Sequence, residues 1–351
     1  MRDGIRGKQK KTKQRQGNHI MKFCMIGWCG HTQYIVEGLK RLPDFELDGI
    51  ASGEEGRDGQ YILDRCKANG IPGSPKLYDN WIAMLDELKP EVISADGPYH
   101  LHGIECLEAA KRGIHVFSEK PITLKLDELA AIEKTCAETG AKIVSMVGIR
   151  YDAAFWTAHK LVKEGVIGKI KVIHTQKSYK LGTRPEFYKS RDLYGGTIPW
   201  VGSHAIDWIL WFTGSEFESV TAFHDSNDNF GNGTMEIAGE CLFRLKNGVI
   251  ATASIDFLRP GTAPTHGDDR IRCAGTKGVI EVMGGKVHLI TADGDQYIEP
   301  VEPPQSLFED FIGGLRGDNP LPVTTEETIA LTKACLLARE SADKHTTEYF
   351  K

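Results

Sequence analysis

The chain is expected to be a two-domain α/β protein. A parallel sheet covered by helices on both faces is followed by an α+β domain built on a large, open, mainly antiparallel sheet. Three observations predict this. Up to about residue 148, short apolar runs alternate with helical patterns, which is how βαβ units read in sequence. Beyond residue 150 the pattern becomes a series of strand-like runs joined by hairpin-turn signals. The length, 351 residues, exceeds what a single hydrophobic core usually organises.

In the first part, strands are expected over residues 23–27, 47–52, 92–95, 114–118 and 142–147. Helices are expected over 32–41, 59–66, 78–88, 101–110 and 126–138. Right-handed crossovers bring the carboxyl ends of such strands and the amino ends of the helices to one edge, where ligands bind. In the second part a helix over 155–164 precedes alternation at 169–177 and a helix over 203–212. Strand candidates follow at 219–224, 235–245, 249–257, 269–273, 278–282 and 286–290. Lys246-Asn247-Gly248 and Gly284-Gly285 read as hairpin turns between them. A final amphipathic run, 325–342, is expected to be a helix that returns to the first domain.

Composition narrows the function. The net charge of -5 hides a basic leader, in which residues 1–20 carry seven Lys or Arg against the single Asp3. The acidic body lacks the basic and aromatic interleaving of a nucleic-acid binder, so no nucleic-acid partner is expected. No apolar run approaches a membrane span, and the leader lacks the apolar stretch of a secretory signal. The eight cysteines form no Cys-x-x-Cys pair, so buried free thiols in a cytoplasmic protein are expected and no metal site.

The first chemical motif follows the first strand: Gly27-Trp28-Cys29-Gly30-His31-Thr32. A dinucleotide loop needs a glycine for the tight turn, a small residue where pyrophosphate approaches and a third where the helix packs. Only Gly27 stands in its expected place; Cys29 and Thr32 occupy the other two, and Gly30 keeps the loop lean. The second strand ends without the usual acid for the adenosine ribose. Ser52 can hydrogen-bond a ribose, with Glu54 or Arg57 within reach, so NAD and NADP both remain open.

Further motifs follow in order: Asp96-Gly97-Pro98-Tyr99-His100-Leu101-His102, Glu119-Lys120-Pro121, the segment 148–151 with Arg150, Gly165-Val166-Ile167-Gly168, the block 195–207 and Gly275-Thr276-Lys277-Gly278. In this order they resemble the glucose-fructose oxidoreductase and inositol dehydrogenase family (Gfo/Idh/MocA) from Met21 to about residue 345. The resemblance implies a Rossmann-type domain that binds NAD or NADP, with Gly27, Trp28, Cys29, Gly30, His31, Thr32, Ser52, Pro98, Tyr99, His102, Glu119 and Lys120 at the cofactor. The expected division is a basic flexible leader (1–20), read from its charge, then a dinucleotide-binding domain (21–148), a substrate-binding and oligomerisation domain (149–320) and a C-terminal helix (321–351). A homodimer or homotetramer is implied through the open sheet.

By the same resemblance, Lys120 contacts the reacting hydroxyl and His204 is the general acid or base. Where the family carries an acidic residue four before that histidine, this chain has Trp200. The chemistry also stands without the family. Taking hydride from an alcohol carbon leaves a proton on oxygen, which needs a base within hydrogen-bond reach. A desolvated lysine beside an oxidised nicotinamide is pushed toward its neutral form, and histidine exchanges protons near neutrality. Trp200 is read either as a pocket wall that stacks on a sugar face or as filler for a smaller acid. Asp207, one turn after His204, either orients the imidazole, binds substrate or packs. The basic segment 177–194 offers Tyr179, Arg184, Tyr188, Lys189 or Arg191 to a polyhydroxylated or carboxylated substrate, or is a solvated loop or subunit contact; Arg150 is a substrate candidate by family pattern.

The leading expectation is therefore an NAD(P)-dependent dehydrogenase or reductase that acts on a CH-OH group of a sugar, cyclitol or sugar acid. The alternatives are an NAD-using lyase or glycosidase with transient oxidation, or a catalytically weakened binding or regulatory homologue.

Overall fold

The computed structural model describes residues 20–42, 44–54 and 56–351. Apart from Ile20, the basic leader lies outside them. In the first domain, β1 (Met21–Ile26), α1 (Gln33–Leu39), β2 (Phe45–Ala51), α2 (Gln60–Ala68), β3 (Lys76–Tyr78), α3 (Trp81–Leu88), β4 (Val92–Ala95), α4 (His102–Lys111), β5 (His115–Ser118), α5 (Leu126–Thr139) and β6 (Ile143–Ser145) follow one another. All strand pairs are parallel, in the order β3-β2-β1-β4-β5-β6. The order reverses between β1 and β4, the switch point where open α/β sheets bind ligands. Strand β3, three residues long, was not expected; only its last residue, Tyr78, falls in the helix expected over 78–88.

The second domain contains α6 (Ala153–Lys163), β7 (Ile170–Tyr179), α7 (Arg191–Tyr194), α8 (Thr197–Trp200), α9 (Gly202–Thr213), β8 (Phe217–Asp225), β9 (Ala238–Leu245), β10 (Ile250–Asp256), β11 (Gly267–Gly275), β12 (Gly278–Met283), β13 (Lys286–Thr291) and β14 (Gly294–Ile298). With β15 (Glu348–Tyr349) they form a nine-stranded sheet, β14-β13-β12-β11-β7-β10-β9-β8-β15, in which only the β7/β10 pair is parallel. Strict alternation along β9 and β10 buries Cys241, Phe243, Ala251 and Ala253 under the helices. The opposite face leaves Phe223, Leu242, Ile250 and Met283 exposed.

The expected boundaries change at the C-terminal end. It is α10 (Leu307–Arg316), inside the segment assigned to the second domain, that packs on the first: Phe308 lies against Phe23, Phe45 and Phe117. Its Ser306/Glu309 capping box starts the helix and its apolar stripe explains the packing. α11 (Thr325–Lys344) lies between the domains instead of simply returning to the first. On one side Thr325 and Thr328 accept the Ile143 and Ser145 backbone N–H groups of edge strand β6. On the other, Ser341 accepts the Ala222 N–H of β8. Among the described residues no helix is long and apolar enough to cross a membrane.

Candidate active site

The glycine turn closes against the switch point. Gly27 has φ +77°, and a Cβ there would lie 2.3 Å from the Gly97 Cα, so only glycine fits. The amides that follow are largely engaged within the protein. Cys29 N donates to Asp96 O (2.9 Å), Gly30 N to Asp96 Oδ1 (2.7 Å) and His31 N to Glu119 Oε2 (2.8 Å). The Thr32 hydroxyl bonds Asp96 as well. Burial, reinforced by Glu119, pushes the Asp96 carboxyl upward. Asp96 took no part in the sequence reading of the site, and its pairing across some 66 positions leaves no local signal.

A cleft of about 890 Å³ opens beside this turn. The first domain lines it with Trp28, Cys29, Glu54, Arg57, Pro98 and Tyr99, and the second covers it with Pro185, Phe187, Tyr188 and Leu193. Its size and its place at the switch point suit a dinucleotide. The phosphate end departs from the usual loop, since three amides are already satisfied. Cations stand at the rim instead: Arg57 lines the cleft, and Arg65 donates to Trp28 O at 3.4 Å. Ser52, expected at the ribose, donates instead to the Glu54 and Arg57 carbonyls and closes the turn after β2. His102, also expected at the cofactor, is buried with its ring nitrogens 2.9 Å from Gly97 O and 3.2 Å from Pro121 O, so it ties the β4 and β5 edges together.

The Glu119-Lys120-Pro121 turn brings Lys120 to the domain boundary, 1% exposed. Its Nζ donates to the Trp200 carbonyl at 2.9 Å, lies 3.8 Å over the Trp200 ring and stands 3.7 Å from Glu119 Oε1. Burial lowers Lys120 to about 8, aided by Lys177 and opposed by Glu119. That value suits a base that works near neutral pH. Trp200 is thus a neighbour of Lys120 through both ring and carbonyl. Its ring stacks on Tyr99 at 3.8 Å, and the Tyr99 and Tyr188 hydroxyls are 3.1 Å apart, which gives the pocket an aromatic wall.

His204 enters from the first turn of α9, fully buried, with no hydrogen-bond partner for either ring nitrogen among the described residues. Burial, then the charges of Lys120, Lys177 and His31, push it well below the ordinary histidine range. An unpaired buried imidazole is uncommon unless it addresses a ligand. Asp207, one turn on, behaves differently. Arg150 grips it through Nη2 at 2.7 Å and Nε at 2.9 Å, with both side chains buried, and Arg150 Nη1 also reaches Pro322 O and Glu327. The geometry therefore favours the packing role among those expected for Asp207, and it engages Arg150 with Asp207, Pro322 O and Glu327 where a substrate contact was expected. Arg184 donates through Nη2 to Lys180 O and lies 4.7 Å over the Phe257 ring, while its buried Nε has no partner among the described residues.

Lys177 was not among the expected site residues. It sits on the covered face of β7, 2% exposed, paired with Asp269 and 4.8 Å from the Tyr179 ring centroid. Its charge acts on both Lys120 and His204. The signal was present, because the period-2 register that buries Ile173 and Thr175 also turns residue 177 inward.

Comparisons with known proteins agree with this geometry. Residues 21–147 match the oxidoreductase family with an NAD-binding Rossmann fold, and residues 155–281 the GFO/IDH/MocA C-terminal domain. A solved structure from Thermotoga maritima is 43% identical, with a TM-score of 0.88, covering 94% of this chain and 100% of that one. The scyllo-inositol 2-dehydrogenase (NAD(+)) of Bacillus subtilis is 31% identical over 256 residues, 70% of this chain and 72% of that enzyme. The 2,7-anhydro-N-acetylneuraminate hydratase of Escherichia coli is 29% identical over 53% of this chain and 49% of its own length. Several other curated relatives are matched over only 43–62% of their length. With the two sheets, the cleft at the switch point and Lys120 between the domains, these matches establish that the chain belongs to the Gfo/Idh/MocA family of NAD(P)-dependent oxidoreductases.

Proposed function

We propose that the protein transfers hydride between NAD(P) and a hydroxyl-bearing carbon of a sugar, cyclitol or sugar acid. The observation that carries this reading is Lys120. It is a buried amine lowered to about 8, between the domains behind the Tyr99–Trp200 stack that edges the cleft, beside an imidazole with no partner among the described residues. The cofactor, when bound, supplies the hydride acceptor or donor; Trp28, Arg57, Pro98 and Tyr99 would hold it. Neutral Lys120 accepts the hydroxyl proton as the carbon is oxidised, and the unpaired His204 orients the same oxygen or exchanges its proton. Tyr99, Tyr188 and Trp200, packed on one another, keep water from Lys120. The Bacillus relative named as an inositol dehydrogenase supports the substrate class. The exposed sheet face at Leu242 and Ile250 supports homodimer or homotetramer assembly.

The test is to measure NAD(P) binding by calorimetry, then nicotinamide reduction across a panel of polyols, aldoses and sugar acids. Net reduction that is lost in K120A supports the reading. The hydratase likeness favours one second reading, transient oxidation without net turnover of cofactor. Consumption of substrate with constant NAD would decide for it.

A further inference from the structure

We propose that His31, held by Glu119, is a second imidazole of the reaction, which carries the proton between Lys120 and solvent. The assignment rests on the function proposed above and deepens it. His31 belongs to the altered glycine turn, yet its side chain faces Glu119. Nδ1 lies 3.0 and 2.9 Å from the two Glu119 oxygens, and the backbone N–H of the same residue bonds that carboxylate at 2.8 Å. Two contacts hold the ring and the third holds the backbone that carries it. With the carboxylate ionised, Nδ1–H donates and Nε2 keeps its lone pair, for which no partner is found among the described residues. A carboxylate that sets the tautomer of an imidazole is how an acid–base histidine is oriented.

Position and exposure agree. The His31 ring centroid is 5.3 Å from that of His204, nearly edge-on, and 6.1 Å from that of Trp200, over which Lys120 sits. Lys120 Nζ and His31 flank the same carboxylate, since Glu119 Oε1 is 3.7 Å from Nζ. The side chains of Glu119, Lys120 and His204 are at most 2% exposed, whereas that of His31 is 28% exposed. Of these four groups only His31 meets water. The charged and titratable groups around it are Glu119 and Lys120 from the β5 edge, Tyr34 stacked on its ring from α1, and His204 from α9. Asp96 and Lys177 act on Glu119 and on Lys120 respectively from further out. His31 therefore faces an anion, while His204 faces cations that oppose a second positive charge.

As the carbinol is oxidised its O–H bond breaks, and the proton passes to the neutral amine of Lys120. The resulting ammonium passes its proton through an intervening water to His31 Nε2, which forms an imidazolium paired with Glu119. Nε2 then releases the proton to water, and both bases are restored. Reduction runs the same steps in reverse.

The test uses the full chain with ¹⁵N-histidine labelling, together with H31Q, H31G and E119Q. The wild type is expected to show His31 as the Nδ1–H tautomer when neutral, a preference that E119Q abolishes. H31Q keeps a donor to Glu119, so dinucleotide affinity should stay within about threefold while turnover falls at least about 100-fold. Added imidazole should restore H31G by at least about tenfold, with a pH dependence that follows the added base. An Nε2–H tautomer in the wild type overturns the dyad whatever the substrate. Wild-type turnover with unchanged turnover in H31Q, or a loss confined to dinucleotide affinity, overturns the proton role alone. Absence of any wild-type oxidation overturns the function and this role together.

Discussion

Helix α9 carries two buried titratable side chains one turn apart, and their surroundings differ completely. Asp207 is gripped by Arg150 through two short hydrogen bonds, and that guanidinium continues to the segment before α11. His204 has no hydrogen-bond partner among the described residues and shares its space with Lys120, Lys177 and His31. Both positions are equally dry, so burial alone does not separate structure from chemistry. What separates them is whether the polar atoms are already satisfied. A closed pair locks elements together, while an open donor or acceptor is aimed at something that arrives.

The comparison breaks if changes at the two positions have the same effect. The largest effect is expected at the open centre. K120A or H204A should lower kcat by about 100- to 10,000-fold, with thermal stability and dinucleotide affinity close to wild type, as steady-state kinetics, calorimetry and melting curves would show. At the closed pair, R150A leaves the Asp207 carboxylate buried and alone and should cost about 3–5 kcal/mol of stability, read from denaturant unfolding. If R150A instead folds normally and changes KM alone, Arg150 belongs with the substrate.

The pH profile sharpens the comparison. Oxidation needs the amine of Lys120 neutral, so kcat/KM should rise as pH increases through about 8. Lys177 favours the neutral form by repulsion and Glu119 opposes it. K177Q should therefore move this limb toward higher pH and E119Q toward lower pH, each by a fraction of the displacement from 10.5 to about 8. The smallest effect is expected away from both centres. T328V removes the acceptor for the buried Ser145 N–H and should cost about 1–3 kcal/mol without altering the pH limb.

What was legible in the sequence divides along the same physical line. Local periodicity shows the βαβ series, the open sheet and α9, because hydrophobic period and turn chemistry act over a few residues. Strand β3 escaped, being three residues long and adjoining a helical pattern. α10 escaped although Ser306 and Glu309 announce its start. At the site, Lys120, His204 and the glycine turn were recognisable from motif order. The pairings that assign their tasks were not, since Arg150 meets Asp207 across 57 positions and His31 meets Glu119 across 88. Such contacts join segments far apart in the sequence of a single domain and exist only once that domain's strands and helices have assembled. Lys177 stands between these cases, with its inward register readable and its electrostatic reach toward Lys120 and His204 not.

The most direct test of the central claim is nicotinamide reduction by K120A beside the wild type, on the best substrate of a polyol and sugar-acid panel, with dinucleotide affinity measured on the same preparations. The account predicts equal affinity within about threefold and turnover lower by at least about 100-fold. Turnover retained in K120A, or lost only in proportion to cofactor binding, would contradict it.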